Sequence, residues 1–86
     1  MIQAELHEMD TLSQRLDTCS HEVADLTRAL TTLIGTTTWT GRTADRFRAS
    51  WESEFNPALR DLAAALVEAG HEVRRTRDRI DLAANY

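Results

Sequence analysis

The sequence predicts an all-α protein built as a two-helix hairpin. Two long stretches, about 2–34 and 44–82, carry apolar residues at helical spacing. Between them lies the segment 35–43, GTTTWTGRT, which contains two glycines and five threonines. β-Branched residues resist helix, and glycine adopts the positive φ values that reverse a chain. Two helices with one short break form an α-hairpin.

Length and charge limit what the chain can be. Its 86 residues allow a single domain, 1–86, with a thin core. The net charge is −4, and all ten basic residues are arginine, as is typical of a GC-rich genome. The first helix holds six acidic residues against two arginines and so carries all of the excess negative charge. This balance argues against nucleic acid as the main partner.

Composition also excludes several classes of protein. One cysteine leaves no internal disulfide framework and no thiolate-based zinc site. No apolar run approaches the ~18 residues that a membrane span requires. The start of the chain, MIQAELHEMD, has acids where a cleavable signal peptide would have basic residues and an apolar stretch. Export, where it occurs, is expected to use another route.

A sustained heptad pattern predicts the first helix. Two apolar series, each repeating every seven residues and offset by three, give the spacing of a helical bundle seam. The series are Ile2, Met9, Leu16, Val23 and Leu30, followed by Leu12, Cys19, Leu26 and Leu33. Such a helix would be about 50 Å long at ~1.5 Å per residue. Within the seam Cys19 is expected to be a small core filler with an unreactive thiol.

The three histidines are not expected to bind metal. His7, His21 and His71 lie on outer faces of the helices, and each precedes a glutamate. No second metal ligand follows any of them at metal-site spacing. The pair HE without the rest of HExxH is not a zinc motif. The sequence therefore predicts solvated surface histidines, and neither a metal nor a cofactor.

The second helix is expected to begin after Thr43, which suits an N-cap position. The apolar residues at helical spacing in this helix are Ala44, Phe47, Trp51, Phe55, Leu59, Leu62, Leu66, Ala69, Val73 and Ile80. The spacing along this face slips by about one residue between Trp51 and Leu59. Pro57 lies in the slip and predicts a kink without ending the helix.

The apolar surface is too wide for one hairpin to bury. Leu6, Ile34 and Val67 widen it further, and small chains with such surfaces usually have a partner. Two hairpins packed as a four-helix bundle solve the problem, since each large side chain buried contributes about 1.5–3 kcal/mol. The predicted hairpin or dimer interface comprises Met9, Leu12, Leu16, Cys19, Val23, Leu26, Leu30, Leu33, Phe47, Trp51, Phe55, Leu59, Leu62, Leu66, Val73 and Ile80.

No catalytic constellation is predicted, so an enzyme is not expected. Ser20 and His21 are sequence neighbours and point in different directions on a helix. The carboxylates follow outer faces, with no glycine-rich loop to hold a substrate.

Two features each leave two interpretations open. Four arginines near the end of the second helix, at positions 74, 75, 77 and 79, could contact nucleic acid or an anionic membrane. They equally suit the helix dipole and their acidic neighbours, which is the favoured interpretation. Trp39 could close the end of the hairpin core, or it could form with Gly41 a recognition feature at the tip.

The turn and the two predicted helices resemble those of the WXG family. Its members are small substrates of the type VII (Esx) secretion system related to the early secreted antigen of mycobacteria. Trp39-Thr40-Gly41 matches the W-x-G motif at the bend between two helices. The likeness continues through ADRF (44–47), Trp51, the leucines at 59 and 62, and EAG (68–70). The resemblance implies helical hairpins that pair, as homo- or heterodimers, into four-helix bundles exported in folded form. It also implies that Trp39 and Gly41 are half of a composite export signal.

The other half of that signal, a Y-x-x-x-[D/E] motif near the end of the second helix, does not occur here. Its positions fall near Val73 and Arg77, and Tyr86 ends the printed chain. Either a partner supplies the motif, or the chain is shortened.

The resemblance implies a secreted substrate or adaptor that is cytoplasmic before export and leaves without a cleavable signal peptide. Its implied partners are itself or a paired WXG-type protein, and the secretion-system ATPase. The alternative is a targeting chaperone or partner of a larger effector.

Overall fold

The computed structural model describes residues 2–84, which form an elongated helical hairpin. Helix α1 spans Ile2–Thr36 and helix α2 spans Arg42–Ser50. A π-helical turn, Trp51–Phe55, joins α2 to helix α3, Asn56–Ala84. No strand occurs in the described part of the chain, whose principal extents are 66 × 17 × 13 Å. The predicted all-α hairpin is confirmed; Tyr86 lies outside the described residues.

Apart from Leu6, small and polar residues form the line of contact between α1 and α3. The buried residues of α1 follow one another at intervals of seven and are Leu6, Ser13, Ser20 and Thr27. The Ser20 hydroxyl donates to the carbonyl oxygen of Ala63 at 2.9 Å. A Cβ on the buried Gly70 would lie 3.5 Å from the carbonyl oxygen of Ser13. Because small side chains occupy this line, the two backbones approach closely.

The heptad that the sequence predicted as a seam flanks this contact instead of forming it. Met9, Leu16, Cys19, Val23 and Leu30 are half-buried, and Leu12, Leu26 and Leu33 are exposed. Leu16 lies beside the contact line, and its Cβ is 3.8 Å from the position that a Cβ on Gly70 would take. The heptad therefore borders the hairpin contact and leaves part of its apolar surface exposed.

The helix boundaries differ from the prediction around the turn. Helix α1 continues through Gly35 to Thr36. Threonine hydroxyls can bond to the carbonyl four residues earlier within a helix, and the Thr36 hydroxyl donates to the carbonyl of Thr32 at 3.0 Å. Helix α2 begins at Arg42, and its N-cap is Gly41, which makes no side-chain cap. The prediction of Thr43 as the N-cap is therefore wrong.

The π-helical turn accounts for the one-residue slip in the apolar pattern. A π turn holds one residue more than an α turn and shifts the face that follows. Here the N–H of Asn56 donates to the carbonyl of Trp51, five residues earlier. Pro57, which has no N–H, comes directly afterwards. The sequence predicted a kink at Pro57, and what the structure shows is this π-helical turn just before the proline, which itself lies in α3.

Candidate functional site

The tip of the hairpin presents two aromatic rings to solvent. Trp39 is 42% exposed and Phe47 is 40% exposed. Their ring centroids lie 5.8 Å apart with the planes inclined at 47°, a tilted packing that aromatic pairs favour. Trp39 therefore rests against α2 and keeps a large part of its indole accessible.

Gly41 sets the direction in which α2 leaves the turn. Its φ of 107° and ψ of 178° belong to a region that is essentially restricted to glycine. Its carbonyl accepts the N–H of Asp45 at 3.0 Å and so begins α2. A Cβ here would meet no atom within 4 Å, so substitution is penalised by backbone conformation alone. The expectation of a positive φ is confirmed for Gly41 and is wrong for Gly35.

Arg48 joins α2 to the end of α1 and was missed in the sequence analysis. Its guanidinium donates three hydrogen bonds to backbone carbonyls, at 3.2 Å to Ile34, 2.9 Å to Thr37 and 2.8 Å to Trp39. The last carbonyls of a helix lack intrahelical partners, and arginine is a common donor to them. The sequence shows Arg48 only as one of three arginines close together after the turn, at positions 42, 46 and 48.

Trp51 fastens the tip to the rest of the hairpin. It is buried, and its indole N–H donates to the hydroxyl of Thr31 at 2.9 Å. That hydroxyl in turn donates to the carbonyl of Thr27 at 2.8 Å. The sequence placed Trp51 on the hairpin or dimer interface, and it lies inside the hairpin at the π-helical turn.

The apolar residues beside the hairpin contact lie on one face of the molecule. On α1, Leu16 comes three residues after the buried Ser13, and Leu12 comes one before it. On α3, Leu66 and Leu62 have the same offsets from Ala63, the partner of Ser20. Between antiparallel helices, equal offsets fall on the same side of the contact plane. We call this surface the apolar face: Met9, Leu12, Leu16, Cys19, Val23, Leu26, Leu30, Leu33, Phe55, Leu59, Leu62, Leu66, Val73 and Ile80.

Large side chains of the apolar face stand in solvent. Leu26 is 56% exposed, Leu33 60% and Phe55 48%. Exposed apolar side chains thus continue along both helices of the hairpin.

The opposite face of the hairpin is predominantly polar. It carries His7, Asp10, Gln14, Asp17, His21, Arg28, Arg60, His71, Arg74, Asp78 and Asp81. Its histidines have local contacts, as when the Nδ1 of His21 lies 3.0 Å from the carbonyl oxygen of Asp17. Within residues 2–84 no cluster of three or more His, Cys, Asp or Glu side chains has the arrangement of a metal site.

The arginines near the end of α3 make ion pairs with acidic neighbours. The Nε of Arg77 donates to Asp10 across the hairpin at 2.9 Å, and Nη1 donates to Asp81 at 3.2 Å. Burial lowers the pKa of Arg77, but the hydrogen bond to Asp10 and the nearby carboxylates outweigh it and raise the pKa. Arg75 and Arg79 lie 2.8 and 3.9 Å from the carboxylate of Glu72. These pairs favour a structural role over a contact patch.

The comparisons with known proteins identify the family. A family model described as "Proteins of 100 residues with WXG" (WXG100) matches residues 1–81. The chain belongs to the WXG100 family. No curated protein and no solved structure gives a significant match.

WXG100 proteins are small helical secreted proteins that commonly pair with each other, and the family is associated with substrates of type VII secretion. The matched range covers Trp39 and Gly41 at the tip and the whole apolar face. None of the helices described for this WXG100 chain is long and apolar enough to cross a bilayer.

Cys19 offers a probe of the apolar face. Its half-buried thiol should react with a thiol reagent more slowly as protein concentration rises, because pairing would cover it. The absorbance of the released or attached label gives the reaction rate, which is measured at several protein concentrations with and without denaturant. The fully denatured protein supplies the upper limit of the rate. A native rate that equals the denatured rate at every concentration would contradict the expectation.

Proposed function

We propose that this chain is a small substrate or adaptor of a type VII secretion system and acts through protein–protein contacts. In this proposal it pairs through the apolar face with a second WXG100 hairpin, either another copy or a different member. Membership of the family, together with an apolar face confined to one side of the hairpin, supports it most directly.

The energetics favour pairing. Burying one large apolar side chain contributes about 1.5–3 kcal/mol, and several on this face are about half exposed. Because these side chains are already about half-buried, each contributes only about half of that amount, and most of the face on both partners must be covered to offset a cost of association of about 4–15 kcal/mol. Two hairpins joined along such faces form a four-helix bundle.

The tip and the end of α3 would have separate roles in export. Trp39 and Gly41 provide an accessible feature at the tip for the secretion-system ATPase. Where the family's Y-x-x-x-[D/E] motif would fall, Val73 is half-buried and Arg77 is bound to Asp10. Neither position carries the tyrosine or the acid of the motif, so in this proposal the motif comes from the partner chain.

Secretion assays test the proposal. The chain should reach the culture medium of a host with an intact type VII system and should stay in the cells when the ATPase is deleted. The absent tyrosine motif also favours the alternative that the partner is a larger effector. In that case the effector should reach the medium only when this chain is co-expressed. Equal amounts in the medium with and without the ATPase would refute both versions.

Trp39→Ala should separate export from stability. We expect export to fall at least tenfold while the free energy of unfolding falls by less than about 1.5 kcal/mol, because the indole is only partly buried. Immunoblots of medium and cells, with thermal unfolding of the purified variant, measure the two effects. Gly41→Ala tests the backbone of the turn and should cost about 1–3 kcal/mol, because alanine is strained at this positive φ. Normal export of a stable, paired Trp39→Ala protein would show that the tip is not a signal.

A further inference from the structure

Two consecutive residues of α2 hold Trp39 from different sides. Phe47 packs against the indole ring, with 5.8 Å between the ring centroids. Arg48 donates from Nη1 to the carbonyl of Trp39 and from Nη2 to the carbonyl of Thr37. Phe47 thus positions the side chain of Trp39, while Arg48 positions its backbone.

The third bond of Arg48 ties the same guanidinium to α1. Its Nε donates to the carbonyl of Ile34, in the last turn of that helix. One side chain therefore spans the end of α1, the turn and the start of α2. The positive charge also lies at the negative end of the α1 dipole, which adds a favourable electrostatic contribution.

We infer that Arg48 is a positioning residue for the tip, which holds Trp39 in one arrangement relative to α2 before any partner binds. The inference rests on the proposed function of the tip as an export feature. A planar guanidinium presents several N–H donors in a fixed fork and can serve three carbonyls at once. The ammonium group of lysine is a compact point charge at the end of a flexible chain and cannot reproduce that geometry.

The benefit of this arrangement is preorganisation. Between α1 and Gly41 the turn consists of three threonines and Trp39, and all four side chains are exposed. A partner that binds a mobile tryptophan must order the turn. The apparent affinity is lower when only a small fraction of the molecules is already in the binding arrangement. By fixing three carbonyls, Arg48 raises that fraction.

Three variants test the inference in the full chain. Arg48→Gln removes the charge and the fork, whereas Arg48→Lys keeps the charge and removes the fork. Arg46→Gln is the matched control, since Arg46 is an exposed arginine two residues earlier on α2. Each is measured for thermal unfolding, for export relative to the unmodified protein, and for order of the turn by ¹⁵N heteronuclear NOE. Trp39→Phe assigns the Trp39 indole signal against that of Trp51.

Both substitutions of Arg48 should lower the NOE of residues 37–40 and reduce export about tenfold, with the values for α1 and α3 unchanged. Arg46→Gln should change neither. If Arg48→Gln unfolds at the assay temperature, Arg48→Lys carries the comparison. A turn that stays as ordered as in the unmodified protein would overturn the inference, and so would unchanged export of a variant with a disordered turn.

Failure of the proposed function gives a different result. In that case the unmodified protein itself is not exported, and the order of the turn alone decides the role of Arg48. A lower NOE in both Arg48 variants then supports positioning of the tip, whereas unchanged values refute it.

Discussion

Replacing Leu26 with aspartate should weaken pairing at least 100-fold and leave the hairpin folded. Leu26 lies in the middle of the apolar face and is 56% exposed, so the single hairpin loses little when it is replaced. In the paired state the substitution removes a buried apolar side chain worth about 1.5–3 kcal/mol. It also places an unpaired charge where water is excluded, which costs several kcal/mol more. A loss of 2.7 kcal/mol or more corresponds to about two orders of magnitude in the dissociation constant.

Sedimentation equilibrium measures this effect, either on the chain alone or with a second WXG100 protein from the same genome. Gln14→Asp is the matched control, because it adds the same charge to α1 on the polar face. The control should pair as the unmodified protein does. Two results would contradict the prediction: undiminished pairing of Leu26→Asp, or an unmodified chain that is a well-folded monomer at micromolar concentration with every WXG100 partner tried.

Trp51→Ala should destabilise the hairpin by about 3–5 kcal/mol, the usual cost of truncating a buried aromatic residue. Trp51 is buried at the π-helical turn, and its indole N–H is bonded to Thr31. Because small domains are stable by only about 5–15 kcal/mol, this loss should leave a large part of the protein unfolded on mild heating. Circular dichroism at 222 nm in a urea titration, at one fixed protein concentration, measures it.

The two tryptophans of the chain make a controlled pair. Trp39→Ala removes the same side chain from a partly exposed site and should cost less than about 1.5 kcal/mol. Trp51→Phe keeps most of the apolar volume and loses one hydrogen bond, so it should cost about 0.5–1.5 kcal/mol. The Thr31 hydroxyl would still donate to the carbonyl of Thr27. Equal destabilisation by the two alanine variants would show that Trp39 is part of the core.

The sequence by itself determined the features that depend on local chemistry. Helical periodicity predicted two long helices, and the glycine- and threonine-rich segment predicted the break between them. A positive φ at Gly41 and a slip in the helical pattern before Pro57 follow for the same reason. Each depends on a few neighbouring residues, whose conformational preferences can be judged without knowing what they pack against.

Only the tertiary structure decided which face of α1 meets α3. Hydrophobicity favours the leucine heptad, whereas the contact line runs through residues such as Ser13, Ser20 and Gly70. Apolar residues show which surface must be removed from water, and they do not show whether the other helix or a second hairpin removes it. Two closely packed backbones need small side chains, and that requirement exists only once the helices are placed together.

The role of Arg48 was decided in the same way. Its three acceptors lie 9 to 14 residues away along the chain, one at the end of α1 and two in the turn. Within the sequence of α2, nothing distinguishes Arg48 from the other arginines. The carbonyls at the end of α1 require a donor, but folding of the turn determines that this side chain reaches them.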